Sequence, residues 1–458
     1  MTAPSLLATA PFVALLLAIA LFPIIPSTER WWHKNRNKLL VSGILALLTL
    51  GYYLLRGYGY PHEGHALEPG WTSVVAVLDH AVLKDFVPFI VVLLSLYTIS
   101  GGIRISGDIP AHPATNTFII ALGGLLASFI GTTGASMLLI RPLLEINRER
   151  KLKVHTVVFF IFVVSNIGGS LLPIGDPPLF LGYLRGVPFL WTFSLVWEWA
   201  FCCAALLAIY YIWDSLAWRR ESPEAIRMDE TERKPIRIEG KRNFVLLVGV
   251  ILAVGLLVPG KYIFPFGWKV PKLDPVGLRE IVQLALAGVS LLVSPRGIRK
   301  ANEFNFFPIN EVAALFIGLF ITMQVPIEIL NLRGRELGLE SPAGFFWATG
   351  LLSTFLDNAP TYVVFFQTAG TLEWPHPNEV LFNVDTATGA IASPLLVAIS
   401  CGAVFMGANS YIGNAPNFMV KSIAEHSGVK MPSFFGFFTY SLSILIPLFI
   451  AVTLVFFR

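Results

Sequence analysis

The sequence predicts an all-α polytopic membrane protein made of two similar halves inserted in opposite orientations. Three observations carry that expectation. Of 458 residues, 55% are hydrophobic and only 14% charged, where a soluble domain carries about 25% charged residues, and the mean hydropathy is +0.68. Apolar runs of spanning length recur along the chain. Helix-breaking polar clusters then stand at corresponding places in the two halves.

A bilayer core about 30 Å thick needs roughly 20 apolar residues per helix. Runs of that kind centre on 6–25, 39–55, 82–103, 154–174, 191–213, 244–259, 279–294, 310–330, 388–407 and 433–457, ten expected spans. The first has no basic stretch before it and is broken by Pro11 and Pro23, so it reads as a first membrane helix and not a cleaved signal. Two further apolar stretches are interrupted at their middles. One, about 116–147, breaks at Gly131-Thr132-Thr133-Gly134. The other, about 344–368, breaks at Asp357-Asn358-Ala359-Pro360. Each arm looks too short to cross alone, so both are expected to be re-entrant hairpins with tips at membrane depth.

Loop charge gives the orientation, because Lys and Arg favour the cytoplasmic side. The basic loops are 26–38, the segment Arg148, Arg150, Lys151 and Lys153, the stretch 217–243, and 295–309. With ten spans and two hairpins all four fall on one side, and both termini lie outside. The loop 369–387 has no Lys or Arg but carries Glu373, Glu379 and Asp385. The 260–278 loop, with Lys261, Lys269 and Lys272, fits least well. The net charge of +4 is small, so the clustered basics speak of topology and not of nucleic acid. Cys202, Cys203 and Cys401 all lie in apolar runs, where cysteine acts as a small apolar residue.

The halves align at two places. Ser128-Phe129-Ile130-Gly131-Thr132-Thr133 matches Thr354-Phe355-Leu356-Asp357-Asn358-Ala359, and Ile174-Gly175-Asp176-Pro177-Pro178 matches Ile412-Gly413-Asn414-Ala415-Pro416. The expected organisation is therefore a first repeat over 1–216 with a broken helix at about 154–186, and a second, inverted repeat over 244–458 with a broken helix at about 388–420. A mixed-charge cytoplasmic linker at 217–243, solvated and mobile, joins them. Inverted repeats with helices interrupted at matching positions mark secondary transporters, with the site at the midplane.

Two acids stand at the breaks, Asp176 and Asp357. A charge at membrane depth costs roughly 2.5–3.5 kcal/mol on insertion scales, a cost tolerated when the acid meets a cation, a proton or a polar cavity. Oxygen donors surround them: Thr132, Thr133, Ser165, Asn166, Asn358, Asn409 and Asn414, with Asn417 nearby. Sodium, a hard ion, prefers such oxygens. Gly168, Gly169, Gly175 and Gly413 let the backbone unwind, and Pro177, Pro360 and Pro416 interrupt helical hydrogen bonding. Freed carbonyls can hold a cation, and half-helix N-termini can hold an anion. The reading is two Na+-type half-sites. One joins Thr132 and Thr133 to Asn166 and Asp176, the other Asp357 and Asn358 to Asn409 and Asn414. Competing roles are an N-cap for Asp357 and an ion pair with Arg141 or Arg185 for Asp176. Glu311 and Glu328 are candidate proton groups behind the site. Asp79, Glu198, His80 and His155 are expected near the membrane interface.

These stretches carry a resemblance. Ser165-Asn166-Ile167-Gly168-Gly169-Ser170, Pro173-Ile174-Gly175-Asp176, Asp357-Asn358-Ala359-Pro360 and Gly413-Asn414-Ala415-Pro416 resemble the ion transporter superfamily over roughly 80–457. The sequence looks most like its bacterial sodium/proton antiporters of the NhaD type, relatives of the arsenite pump membrane subunit and of citrate or dicarboxylate carriers. The resemblance implies a scaffold with a moving hairpin-bearing unit, often a homodimer, in a bacterial inner membrane. It implies Na+ (or Li+) and H+ as transported or coupling ions and no cofactor. After Asp176 the antiporter pattern continues with threonines, and here Pro177-Pro178 follow. Sodium- or proton-coupled citrate or dicarboxylate uptake thus stands as the alternative, followed by arsenite efflux. The alternative from another class is an intramembrane aspartyl protease. Its Gly-x-Gly-Asp run is absent and it would leave the repeat unexplained, so the chain is expected not to be an enzyme.

Overall fold

The computed structural model describes all residues except 1–2, 24, 63–64, 232, 264–266, 274–275, 373–382 and 388. Glu232, Glu373 and Glu379 lie outside the described residues. The chain is an integral, multi-pass α-helical membrane protein, and its surface shows why. The helix Leu278–Val293 buries Arg279, Glu280, Gln283, Ala287 and Ser290 and turns Ile281, Leu284, Leu291 and Leu292 outward. Leu292 is 86% exposed and Leu55 82%. A polar stripe inward and leucines outward is the pattern of a helix whose solvent is lipid.

Among the described residues five helices are long and apolar enough to cross alone: Asn35–Leu55 (α1), Trp71–Ser100 (α2), Pro113–Ile130 (α3), Trp191–Trp218 and Phe434–Phe456. Two bent pairs, Leu6–Leu21 with Pro26–Trp32 and Phe307–Thr322 with Gln324–Leu337, raise the number to seven. Six of the ten expected spans are among these seven. The seventh, α3, corrects an expectation, because this hairpin arm is not too short. Pro113, with φ preset for a first turn, starts it early, and it runs 18 residues to Ile130. Other expected spans are shorter helices. Arg242–Leu256 has 15 residues, about 22 Å at 1.5 Å per residue.

Helix α2 starts eleven residues before the expected run at 82 because its polar residues are paired. Lys84 meets Asp79 at 2.8 Å, and Arg185 meets Asp85 at 3.0 Å. Asp79–Phe86 is wound as a π-helix and ends just before Pro88, and Ser441–Leu445 does the same before Pro447. A proline lacks N–H and clashes with the carbonyl four residues back, and a widened turn relieves both.

The break in each hairpin has its own cause. Gly131 stands at φ 80° between α3 and Thr132–Ile146 (α4). Pro342–Phe355 (α5) and Asn358–Ala369 (α6) meet at Leu356-Asp357, both extended. The first broken helix runs Val154–Val163 (α7), a short turn Ile167–Ser170, and Pro177–Leu184 (α8). The second runs Ser393–Met406 (α9), Gly407–Asn409, and Ala415–His426 (α10). Each hairpin packs on the broken helix of its own half. Contacts also cross between halves: α6 packs on α8 and α10 on α4. Val196–Trp218 packs on α3 and α7 and against Ile446–Phe456, so these helices lie with the hairpins, while a second group gathers around α1. There α1 crosses Phe307–Thr322 so closely that a Cβ on Gly318 would lie 2.5 Å from the Ser42 carbonyl, the small-residue contact of membrane helices.

The 217–243 segment is solvated but not loose. Pro223–Thr231 forms a helix, and Lys234–Glu239 pairs antiparallel with Arg104–Asp108. Buried Asp229 accepts the Ala111 N–H at 2.9 and 3.0 Å. The alternation of charges in sequence gave no sign of this strand partner 130 residues away (Arg104 with Glu239 lies at its start).

Candidate functional site

The first residues of α4 and α6 and the N-caps of α8 and α10 meet at one carboxylate. Asp176 is the N-cap of α8, Asn414 that of α10, and their backbones match: φ −141°, ψ 143° against φ −146°, ψ 139°. Thr132 opens α4 and Asn358 opens α6. Thr132 Oγ1 donates to Asp176 Oδ1 at 2.9 Å, and Asn414 Nδ2 donates to the same oxygen at 3.0 Å. Asn358 Nδ2 donates to Asp176 Oδ2 at 3.0 Å. Asp176, Asn358 and Asn414 are all buried.

The network continues behind it. Asn414 Nδ2 also faces the Ser165 carbonyl at 3.1 Å and Asn166 Oδ1 at 3.2 Å. Asn166 Nδ2 donates to the Ile161 carbonyl at 2.8 Å and to Asn417 Oδ1 at 2.7 Å. Asn417 Nδ2 donates to the Gly407 and Ser410 carbonyls at 2.9 and 2.8 Å. Asn417 therefore ties the two broken helices together, a part that sequence reading did not give it. Its spacing from Asn414, one turn of α10, was the available signal.

Two expected half-sites are thus one network centred on Asp176. Asn358 and Asn414, assigned by sequence to Asp357, bond Asp176 instead. Asn409 Nδ2 donates to Thr354 Oγ1 at 2.9 Å and does not join Asp357. Among the described residues Thr133, half-buried, forms no side-chain hydrogen bond. Ser165 Oγ lies 2.9 Å from Ser136 Oγ. Asp357, half-buried, caps α6 through the Ala359 N–H at 3.0 Å, as its N-cap alternative anticipated. It is one residue from Asn358, so both acids border the same spot. The reason for the regrouping is geometric. Pairing by sequence joined each hairpin tip to its own half, whereas α6 packs on α8 across the halves.

The glycines and prolines also find their places. A Cβ on Gly175 would lie 2.1 Å from the Gly169 carbonyl oxygen, so only glycine lets these strands of loop cross. Gly168 crosses Gly124 in the same manner, and Gly413 crosses Gly407. Pro177 and Pro416 stand in the first turns of α8 and α10, and Pro360 is third in α6. They do not end the helices before them, as expected from sequence. They start the half-helices after the break, where an N–H has no helical partner to lose.

The other charged groups are engaged elsewhere. Arg185 pairs with Asp85, and Arg141 with Glu303 at 2.8 Å, so neither bridges Asp176. Glu328 is held by Arg56 at 2.7 Å and Tyr53 at 3.1 Å, and Glu311 pairs with Lys38. His155 is buried against Asp214, and Glu198 is buried too. Among the described residues no hydrogen bond joins Asp176 to Asp357. No cluster of three or more His, Cys, Asp or Glu is present among the described residues.

The arrangement brings together four helix N-termini, each carrying roughly half a positive charge, and two carboxylates, with no Lys, Arg or His bonded to either among the described residues. A cation or proton can be held by the acids and freed carbonyls, and an anionic group by the N-termini. A family model, CitMHS_2, described as “Putative citrate transport”, matches residues 1–457. No curated protein matches the chain.

Proposed function

The chain belongs to that citrate-transport family, and we propose that it is a cation- or proton-coupled secondary carrier whose cargo is citrate or a related carboxylate. The observation that carries the proposal is the meeting of four half-helix N-termini at Asp176. Their partial charges favour a carboxylate, while Asp176 and Asp357 supply the oxygens for the coupling Na+ or H+. A polyanion entering beside two acids needs that neutralising ion, which links cargo to driving ion.

The matching N-cap backbones of Asp176 and Asn414, and the paired hairpins, support reading 1–216 and 244–458 as inverted repeats of ten spans in all, joined by 217–243. In this reading the hairpins and broken helices move together against the α1 group and carry the site across the membrane, as a homodimer in a bacterial inner membrane.

The second reading is sodium/proton exchange of the NhaD type. It is favoured by the absence, among the described residues, of any basic side chain on either acid. One preparation tests both. Proteoliposomes holding the full chain should take up labelled citrate when a Na+ or H+ gradient is imposed. Asp176→Asn should cut that uptake more than tenfold, since the acid would no longer trade its ion. A ΔpH dye that dequenches on Na+ addition with no carboxylate present, and no citrate uptake under any gradient, would move the function to the exchanger.

A further inference from the structure

A groove remote from this network opens on the lipid-facing side of the molecule. It lies between the segment leading into α7, the last turns of Val196–Trp218, and Tyr440. Its volume is about 570 Å³, within the range of small-molecule sites. Lys151 and Arg220 stand at one end, both exposed, and both without an ion-pair partner among the described residues. The acids close by are already held. Asp214 takes Arg150 at 2.6 Å and His155 at 2.7 Å, and Glu221 takes the Leu152 N–H at 2.7 Å. From the basic end the groove runs along Ile212 and Trp213 to Ile209, about 16 Å by helix rise. One wall is a stack of three rings. Trp213 lies parallel to His155 at 6.0 Å and to Tyr440 at 5.8 Å.

We propose that this groove holds one anionic phospholipid, with its phosphate between Lys151 and Arg220 and an acyl chain along Ile209, Ile212 and the exposed edge of Trp213. Charge complementarity selects the occupant. Two free cations sit where exposed apolar side chains give way to polar loop, the depth of a headgroup. Both belong to loops that sequence places on the cytoplasmic side, where anionic lipids attract basic residues. The ring stack makes a firm wall on which a chain can lie with little ordering cost.

Trp213 supplies the readout. The full-length protein is reconstituted in phosphatidylcholine vesicles, and brominated phosphatidylglycerol or brominated phosphatidylcholine is titrated in. The Trp213 contribution is the difference between wild type and Trp213→Phe, since ten other Trp are present. Quenching of that contribution should need on the order of tenfold less brominated phosphatidylglycerol than brominated phosphatidylcholine, from two interfacial cations. Lys151→Gln with Arg220→Gln should erase the preference. Lys151→Arg with Arg220→Lys should keep it, which guards against misfolding as the cause. Lys241→Gln, in another part of the basic surface, should change nothing. Equal quenching by both lipids would overturn the proposal. So would loss of the preference on adding inorganic phosphate, which would mark a free-anion site. So would a Trp213 signal that neither lipid reaches in a dimeric sample, which would mark the groove as a contact between two copies.

Discussion

Gly131 and Asp357 occupy aligned positions in the two halves, yet one is glycine and the other an acid. Backbone geometry accounts for the difference. Gly131 has φ 80° and ψ 149°, a region essentially reserved for glycine where a side chain costs on the order of 1–3 kcal/mol, whereas Asp357 has φ −56° and is free to carry a carboxylate that caps α6. Asp176 and Asn414 are the complementary case: one backbone conformation, two side chains, and a hydrogen bond between them of 3.0 Å. The glycines make a sharp stability prediction. Gly175→Ala would drive Cβ to 2.1 Å from a backbone oxygen, so the loops must separate, whereas Gly288→Ala meets nothing within 4 Å. Thermal unfolding in detergent, followed by a thiol-reactive dye on the buried free Cys202, Cys203 and Cys401, should show a fall of several degrees for the first. For the second it should show no loss, and up to about 1 kcal/mol of gain from helix propensity. At this scale the sequence was informative about which residues matter, since polar and breaking residues in an apolar run have few other reasons to exist. It was silent on who bonds whom. Asn358 reaches Asp176 across 182 positions, and no local pattern encodes that.

At the scale of elements, the apolar runs marked the helices, and the misjudgements have physical sources. Polar residues paired inside α2 hid its first eleven residues from a hydropathy reading. Ion pairs also hold helices together where sequence suggested proton chemistry. Arg56, at the end of α1, closes on Glu328 with side chains 1% and 3% exposed. Removing one partner leaves a buried charge unpaired, at about 3–5 kcal/mol, while removing both costs less. The dye assay should therefore place Arg56→Leu well below the double variant Arg56→Leu with Glu328→Leu. Equal transitions would show that the pair contributes no more than its packing. The linker helix Pro223–Thr231 offers a pH test. Burial raises the Asp229 carboxyl above its ordinary 3.8, against the Ala111 N–H that lowers it. A raised folded value means that this contribution is full below the ordinary value and lost as pH rises through the folded one. Hydrogen exchange over 223–231 should match between wild type and Asp229→Asn at low pH. The wild type should become the less protected as pH rises through the acid range.

For the whole molecule, the decisive question is which loops share a side, because every aspect of carrier function depends on the site being reached from one side and then the other. Length and composition count five to seven spans among the described residues. Charge argues for ten, since helices such as Arg242–Leu256 must then cross a thinner path or be lengthened by flanking residues, at a modest cost per ångström of mismatch. The two counts are separable by experiment because the three native cysteines are buried and so give little background with an impermeant thiol reagent. Single cysteines at Asn37, Lys151, Met228 and Lys300, one in each basic loop, should all label from the same face of sealed vesicles. Cysteines at Gly57 and Tyr262 should label from the other. If the residue 37 and 228 probes label from opposite faces, the first half crosses an odd number of times between them. The hairpin Pro113–Ile146 would then be a full crossing, its 18-residue first arm reaching through and not returning. In that event Thr132 would not meet Asp176 from a re-entrant tip, and the alternation of access around one shared carboxylate would lose its structural basis.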